Sequence, residues 1–199
     1  HPGGIVTKSA LGMRDADILG RMAANGLAKV ALSVTTLDRR LARDMEPRAA
    51  TPPRRLQALK ALSDAGIPTA VMMAPIIPAL NDHEIENVLK SARESGASEA
   101  GYVLLRLPLE IKALFREWLE EHVPGRARRV INILQQMHGG RDYVSQFGLR
   151  QTGSGPFALQ IAQRFRLAKQ RLGYGEKRTA LRTDLFRRPV LPGGQLGLL

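Results

Sequence analysis

The chain reads as a parallel α/β fold, and three repeats of one pattern carry that reading. A helical pattern ends at glycine and runs into a β-rich segment in AANGLAKVALSV, in SDAGIPTAVMMA and in SGASEAGYVLL. Gly26, Gly66 and Gly96 stand where the residue after a helix takes positive φ, which costs glycine little. Helix feeds strand in the same order each time, the connectivity of parallel neighbours joined by right-handed crossovers.

Taken in order, the first strand is Gly4 to Thr7. A helix follows at about Asp15 to Ala24, with Ile18, Leu19 and Met22 on one face and Asp15 and Asp17 complementing the dipole at its start. The second strand is Lys29 to Val34, followed by a loop of roughly sixteen residues, longer than the two to six usual for such connections. The next helix starts at Thr51 as N-cap with Pro52 or Pro53 near its first position, and directs Leu56, Leu59 and Leu62 inward. The third strand, Thr69 to Ala74, runs into a proline-punctuated loop and then Asn81-Asp82-His83-Glu84, which has the chemistry of a capping box. Ile85, Val88, Leu89 and Ala92 form the apolar stripe of the helix behind it, and Ala100 to Leu105 is the fourth strand. Four strands are too few to close an eight-stranded barrel.

Past Pro108 the strand signal stops. Leu109 to Glu121 and Arg126 to Met137 read as helices, followed by a glycine-rich connector. A long helix, Pro156 to Leu172, turns Phe157, Ile161, Phe165, Ala168 and Leu172 inward, with Arg164, Arg166, Lys169 and Arg171 on its other face. The chain thus divides into 1–108, a helical extension 109–175 and a basic, Pro/Gly-broken tail 176–199, expected to wrap the surface or to be disordered.

Composition narrows the function. There is no cysteine, which excludes disulfides and thiolate metal sites within the chain. His1, His83, His122 and His138 lack metal-ligand spacing and read as surface residues, so no metal ligand is assigned. The longest apolar stretch, Ala70 to Leu80, is broken by Pro75 and Pro78, and HPGGIVTKS lacks a signal-peptide pattern, so a cytoplasmic protein without membrane contact is expected. The first residue is His, and the chain is read as a fragment. Residues 1–100 carry 13 Lys and Arg against 11 Asp and Glu, while 101–199 carry 17 against 7, so the excess that points to an anionic partner, nucleic acid among the choices, lies in the second half. A solvated basic face is the plainer account, and aromatics at 5% supply few stacking surfaces.

Ligands of parallel α/β folds bind beyond the C-terminal ends of the strands. Thr7-Lys8-Ser9 ends like a phosphate loop, but Thr7 stands where that loop needs glycine. Lys8 is therefore a cation at the ligand edge, able to meet a carboxylate or phosphate or to form a Schiff base, or else a member of a surface salt bridge. The Ser33 hydroxyl suits a ligand carboxylate or amine, or loop backbone groups. Glu46-Pro47-Arg48 joins an anion to a cation in a stiffened loop, holding either ligand or loop. Arg55 opposes the dipole in the first turn of its helix, which points to an anionic partner against a default of solvated surface arginine. Ala74-Pro75-Ile76-Ile77-Pro78 offers a flat apolar wall with backbone hydrogen-bonding groups, or a rigid turn at the core edge.

The segments S-V-T-T-L-D, E-P-R-A-A-T-P-P-R-R-L-Q-A-L, A-G-I-P-T-A-V and A-P-I-I-P-A-L-N-D resemble the second half of a radical S-adenosylmethionine (radical SAM) protein, in the branch related to spore photoproduct lyase and labelled DNA repair photolyase-like. I-V-T-K-S, Y-V-L-L-R-L-P and G-Q-L-G-L-L fit the same branch. The resemblance implies a partial (β/α) barrel whose strands three to six are the four above. It implies SAM as cofactor, and a [4Fe-4S] cluster on a C-x-x-x-C-x-x-C motif that this chain lacks. By the same resemblance Lys8 and Ser33 contact the amino acid moiety of SAM, Arg48 and Arg55 face the SAM or substrate pocket, and Ala74, Pro75 and Ile76 line the adenosine. The expected function is the C-terminal part of a radical SAM enzyme acting on nucleic acid. A basic nucleic-acid-binding module without catalysis and a cluster-free barrel enzyme using Lys8 are the alternatives.

Overall fold

A computed structural model describes residues 1–143, 145–146, 148–175 and 179–185. Its centre is a four-stranded parallel sheet in sequential order: β1 (Gly3–Thr7), β2 (Ala28–Ser33), β3 (Thr69–Ile76) and β4 (Glu99–Leu104). Sequential parallel order is consistent with a portion of an α/β barrel. The helices between the strands are α1 (Ala16–Ala24), α2 (Arg39–Met45), α3 (Pro52–Asp64) and α4 (Ile85–Glu94). After β4 come α5 (Ile111–His122), α6 (Pro124–Met137), the short α7 (Leu149–Thr152) and α8 (Gly155–Arg171).

Register decides which side chains share a face. Gly4 pairs with Lys29, Val6 with Ala31, Ala31 with Ala70, Ser33 with Met72, Ala70 with Glu99 and Met72 with Gly101. These residues line one side of the sheet, most of them small. On the other side Val30, Leu32, Val71 and Met73 pack beneath helices, with Leu19 of α1, Leu59 and Leu62 of α3, and Val88 and Leu89 of α4 in one buried cluster. Full burial of each such side chain stabilises by roughly 1.5–3 kcal/mol before entropy is counted. Ile161, Phe165 and Ala168 of α8 join this cluster, so the last helix is packed on the sheet layer. A second cluster, with Ile77, Leu80, Leu107, Leu119, Val130 and Leu134, seats α5 and α6 beyond the C-terminal ends of β3 and β4.

Four local features depart from the sequence reading. The long loop after β2 contains α2, capped by Asp38, whose carboxylate accepts from the Arg40 and Leu41 amides at 2.7 and 3.2 Å. A 3-10 turn, Ala10–Asp15, precedes α1, with Ser9 as its cap. β3 continues past Ala74 to Ile76, because Pro75, which has no N–H to give the ladder, sits in a register shift between Met73 and Ile76. Phe157, expected inward, is 36% exposed.

Gly96 has φ of +91°, and a Cβ there would stand 2.4 Å from Ser63 Oγ. Glycine is needed both for the backbone angle and for the approach of α3.

The foot of the sheet is crossed by the start of the expected tail. Lys29 Nζ donates to Thr179 O at 2.8 Å, the Thr179 amide donates to Glu99 Oε1 at 2.6 Å, and the Arg182 amide donates to Gly26 O at 2.9 Å. Residues 179–185 thus lie on the surface as a strap, and the rest of the expected tail, 176–178 and 186–199, lies outside the described residues. No helix among the described residues is long and apolar enough to cross a membrane.

Candidate functional site at the strand ends

β1, β2 and β3 end side by side. Thr7 is paired with Leu32, and one residue further on come Lys8 and Ser33. Lys8 reaches the loop carrying Glu46, just past the C-terminal end of α2.

Glu46 is the hub. Lys8 Nζ donates to Oε1, Arg55 Nη2 donates to Oε2, and Thr35 Oγ1 lies 2.9 Å from Oε1. The Thr35 hydroxyl is also 3.2 Å from Ala74 O, so its one proton is divided between two acceptors. Burial pushes the Glu46 carboxyl up, but the hydrogen bonds and charges of Lys8 and Arg55 together outweigh it and hold the group below the usual carboxylate range. Two cations on one carboxylate leave the cluster with a net positive charge.

The two cations differ in access. The Lys8 side chain is 42% exposed, so its ammonium keeps donors for a ligand. Arg55 is 2% exposed, which overturns the solvated-surface default: besides Glu46 it donates to Ala50 O at 2.7 Å and to Ser33 O at 2.9 Å. Its donors are thus turned onto protein. Arg48 is exposed beside this cluster, and no ion pair holds it among the described residues. Ser33 is 6% exposed, at the margin of the open face.

The wall at the end of β3 is tied down by Asn81. Its amide donates to Thr35 O at 2.8 Å and to Pro75 O at 3.0 Å, while its carbonyl accepts from the Ile77 amide at 2.6 Å. Ala74 O meets Thr35, and Ile76 O accepts from Leu105. Ala74 and Pro75 are half-buried, whereas the Ile76 side chain is fully buried in the main core. The capping box read at Asn81 to Glu84 does not form. Glu84 reaches back to the Thr36 hydroxyl and to the Leu37 amide at 2.6 Å, fastening the loop after β2 to the one after β3. Asn81 and Glu84 are the residues sequence reasoning assigned to the wrong task; a local cap and a long-range tie use the same residue types.

His138 also departs from expectation. It is 3% exposed, and burial lowers its basicity despite a bond to the Leu105 backbone. Two clefts border the strand-end loops, about 480 Å³ between α2 and the α5–α6 corner and about 650 Å³ outside Glu46, with Arg39, Arg43 and Pro52 in its walls. Lys8 and Ser33 line neither of them. Among the described residues no group of three His, Asp or Glu is placed to hold a metal ion.

A row of parallel strand ends bearing an anchored, half-exposed lysine can hold a carboxylate-bearing ligand. Residues 2–92 match the radical SAM superfamily. The radical SAM match begins ahead of β1 and ends within α4, so it contains Lys8, Ser33, Glu46, Arg55 and the Ala74–Ile76 wall. It supports a radical SAM-type function, for which SAM and a [4Fe-4S] cluster are the family's groups.

Among curated proteins, an uncharacterized protein of Mycobacterium tuberculosis is 31% identical over 125 residues, covering 62% of this chain and 37% of the relative. An uncharacterized protein of Methanocaldococcus jannaschii is 30% identical over 120 residues, covering 60% of this chain and 43% of its own length. An uncharacterized protein of Acidianus two-tailed virus is 30% identical over 100 residues, 48% of this chain and 33% of the viral protein. The matched part of the chain thus spans less than half the length of each of these relatives.

Proposed function

We propose that this chain forms part of the SAM-binding half of a radical SAM enzyme in the spore photoproduct lyase-related branch, one that acts on nucleic acid in the cytoplasm. The observation that carries the reading is the placement of Lys8 and Ser33 together at the C-terminal ends of β1 and β2, inside the stretch that matches the superfamily.

The two groups the family implies fit this chain differently. The cluster does not fit: the sequence has no cysteine, and the described residues offer no metal-binding group. Its ligands would lie elsewhere in the parent protein. SAM does fit. Lys8, anchored by Glu46 yet 42% exposed, meets the carboxylate of the amino acid moiety; Ser33 contacts the same moiety; Arg48 faces the pocket; Ala74 and Pro75, with the backbone of Ile76, wall the adenosine. Bound in this way, SAM would supply the adenosyl group from which radical chemistry starts. Arg55 contributes through Glu46, keeping the carboxylate that anchors Lys8 in place.

The test is anaerobic reconstitution of the full-length parent with iron and sulfide, followed by assay for reductive SAM cleavage. A visible-absorbing cluster and release of 5′-deoxyadenosine are expected. A reconstituted protein that neither takes up a cluster nor cleaves SAM overturns the reading.

A further inference from the structure

The four cations on the outer side of α8 do not share one environment. Arg164 forks onto Glu86 at 2.9 and 2.6 Å, and Arg171 acts on the same carboxylate. Arg166 and Lys169 instead line a groove of about 540 Å³ between α8 and β4, an edge strand of the sheet. Their only company there is neutral: no carboxylate lines the groove, and neither cation is in an ion pair among the described residues. Ala100 and the half-buried Tyr102 of β4 form an apolar floor, and the amides of Gln151 and Gln170 sit on the walls.

We propose that this groove docks single-stranded nucleic acid, with phosphates on Arg166 and Lys169 and a base against Tyr102. Two cations side by side, neither in an ion pair among the described residues, suit an anion, and the surplus of 17 Lys and Arg over 7 Asp and Glu in residues 101–199 favours a polyanion. The ring and the floor beside it accept a flat apolar group, and the glutamine amides can meet base edges, features that phosphate-spaced charge alone does not use. A cavity of about 540 Å³ admits one unpaired nucleotide of a strand and is too small for a duplex. The groove lies on the helix-covered side of the sheet, away from Lys8, so it grips a substrate strand beyond the reacting nucleotide. In naming where nucleic acid is held, the inference rests on the nucleic-acid part of the proposed function and needs neither SAM nor cluster.

Fluorescence anisotropy of the full chain with a labelled twelve-residue oligothymidine, across a NaCl series from about 50 mM upward, tests this. Arg166→Gln/Lys169→Gln is compared with Arg54→Gln/Lys60→Gln, which removes equal charge from the exposed face of α3, circular dichroism confirming that both are folded. The groove variant is expected to bind at least about tenfold more weakly, with a salt slope smaller by roughly 1.4 for two lost phosphate contacts, while the α3 variant stays within about twofold. Absence of binding by the unsubstituted chain, unchanged binding by the groove variant, equal losses in both variants, or displacement by polyglutamate as effective as by unlabelled oligothymidine would each overturn the proposal. Because the assay contains no SAM, its failure leaves the radical SAM reading standing, and failure to cleave SAM in the parent leaves the groove standing.

Discussion

The Arg55 guanidinium and the Glu46 carboxylate form an ion pair beside the end of β2, with 2% and 9% of the two side chains exposed. The pair joins the first turn of α3 to the loop behind α2 and fixes the carboxylate that faces Lys8. Removing Glu46 strands the buried guanidinium, and removing Arg55 leaves the carboxylate only the half-exposed Lys8 and the Thr35 hydroxyl; breaking such a pair costs about 3–5 kcal/mol. Glu46→Ala and Arg55→Ala are each expected to lose stability of that order in urea unfolding, and Glu46→Leu/Arg55→Met to lose less than either. A loss below about 1 kcal/mol for both single variants would show that the pair does not hold the loop.

Acid should act on the same group. The folded pKa of Glu46 lies below its unfolded value, so its contribution is complete above about pH 4.3 and disappears as pH falls through the folded value. Stability measured between pH 7 and pH 3 should therefore drop more steeply for the unsubstituted chain than for Glu46→Gln, the difference opening only below the unfolded value. Parallel curves would assign the acid sensitivity to other carboxylates.

Lys8 separates binding from folding. At 42% exposure its ion pair falls in the range of surface pairs, about 0.2–1 kcal/mol, and Glu46 keeps Arg55 and Thr35 without it. Lys8→Ala is expected to unfold within about 1 kcal/mol of the unsubstituted chain. In the cluster-loaded parent it is expected to bind S-adenosylhomocysteine about tenfold more weakly, the loss of one charged hydrogen bond, with methylthioadenosine, which lacks the carboxylate, unaffected. Equal weakening of both ligands in isothermal titration would remove Lys8 from the carboxylate.

Gly96 tests the packing of α3 against the segment before β4. An alanine there meets both a φ of +91° and Ser63 atoms at 2.4 and 2.6 Å. Gly96→Ala is expected to cost more than about 2 kcal/mol, strain and overpacking combined. Adding Ser63→Gly should recover the steric part only. Full recovery in thermal unfolding would mean that the backbone angle carries no cost.

The sequence made the sheet legible because its helices stop at glycines and its strands are apolar, local signals that tertiary packing did not need to override. It also brought Lys8, Ser33 and the β3 wall to one edge, since parallel order alone aligns strand ends. What it hid was the partner of each charge. Arg55 looks solvated in the first turn of a helix, and only the loop folding back beneath it, Glu46 included, reveals a buried clamp. Asn81 and Glu84 matched a cap because local spacing is visible in sequence, whereas their bonds to residues 35–37 cross about 45 positions of chain. The helix α2 was legible in principle from Asp38, a capping residue ahead of R-R-L-A-R-D-M.

The strap at the foot of the sheet gives the molecule a direction. Thr179 offers its carbonyl to Lys29 and its amide to Glu99, so the backbone of one residue meets both a cation and an anion that occupy the same end of the small-residue face. With that end of the face occupied by the strap, Lys8, 42% exposed at the opposite ends of the strands, is a charged side chain that this face still offers to an anion.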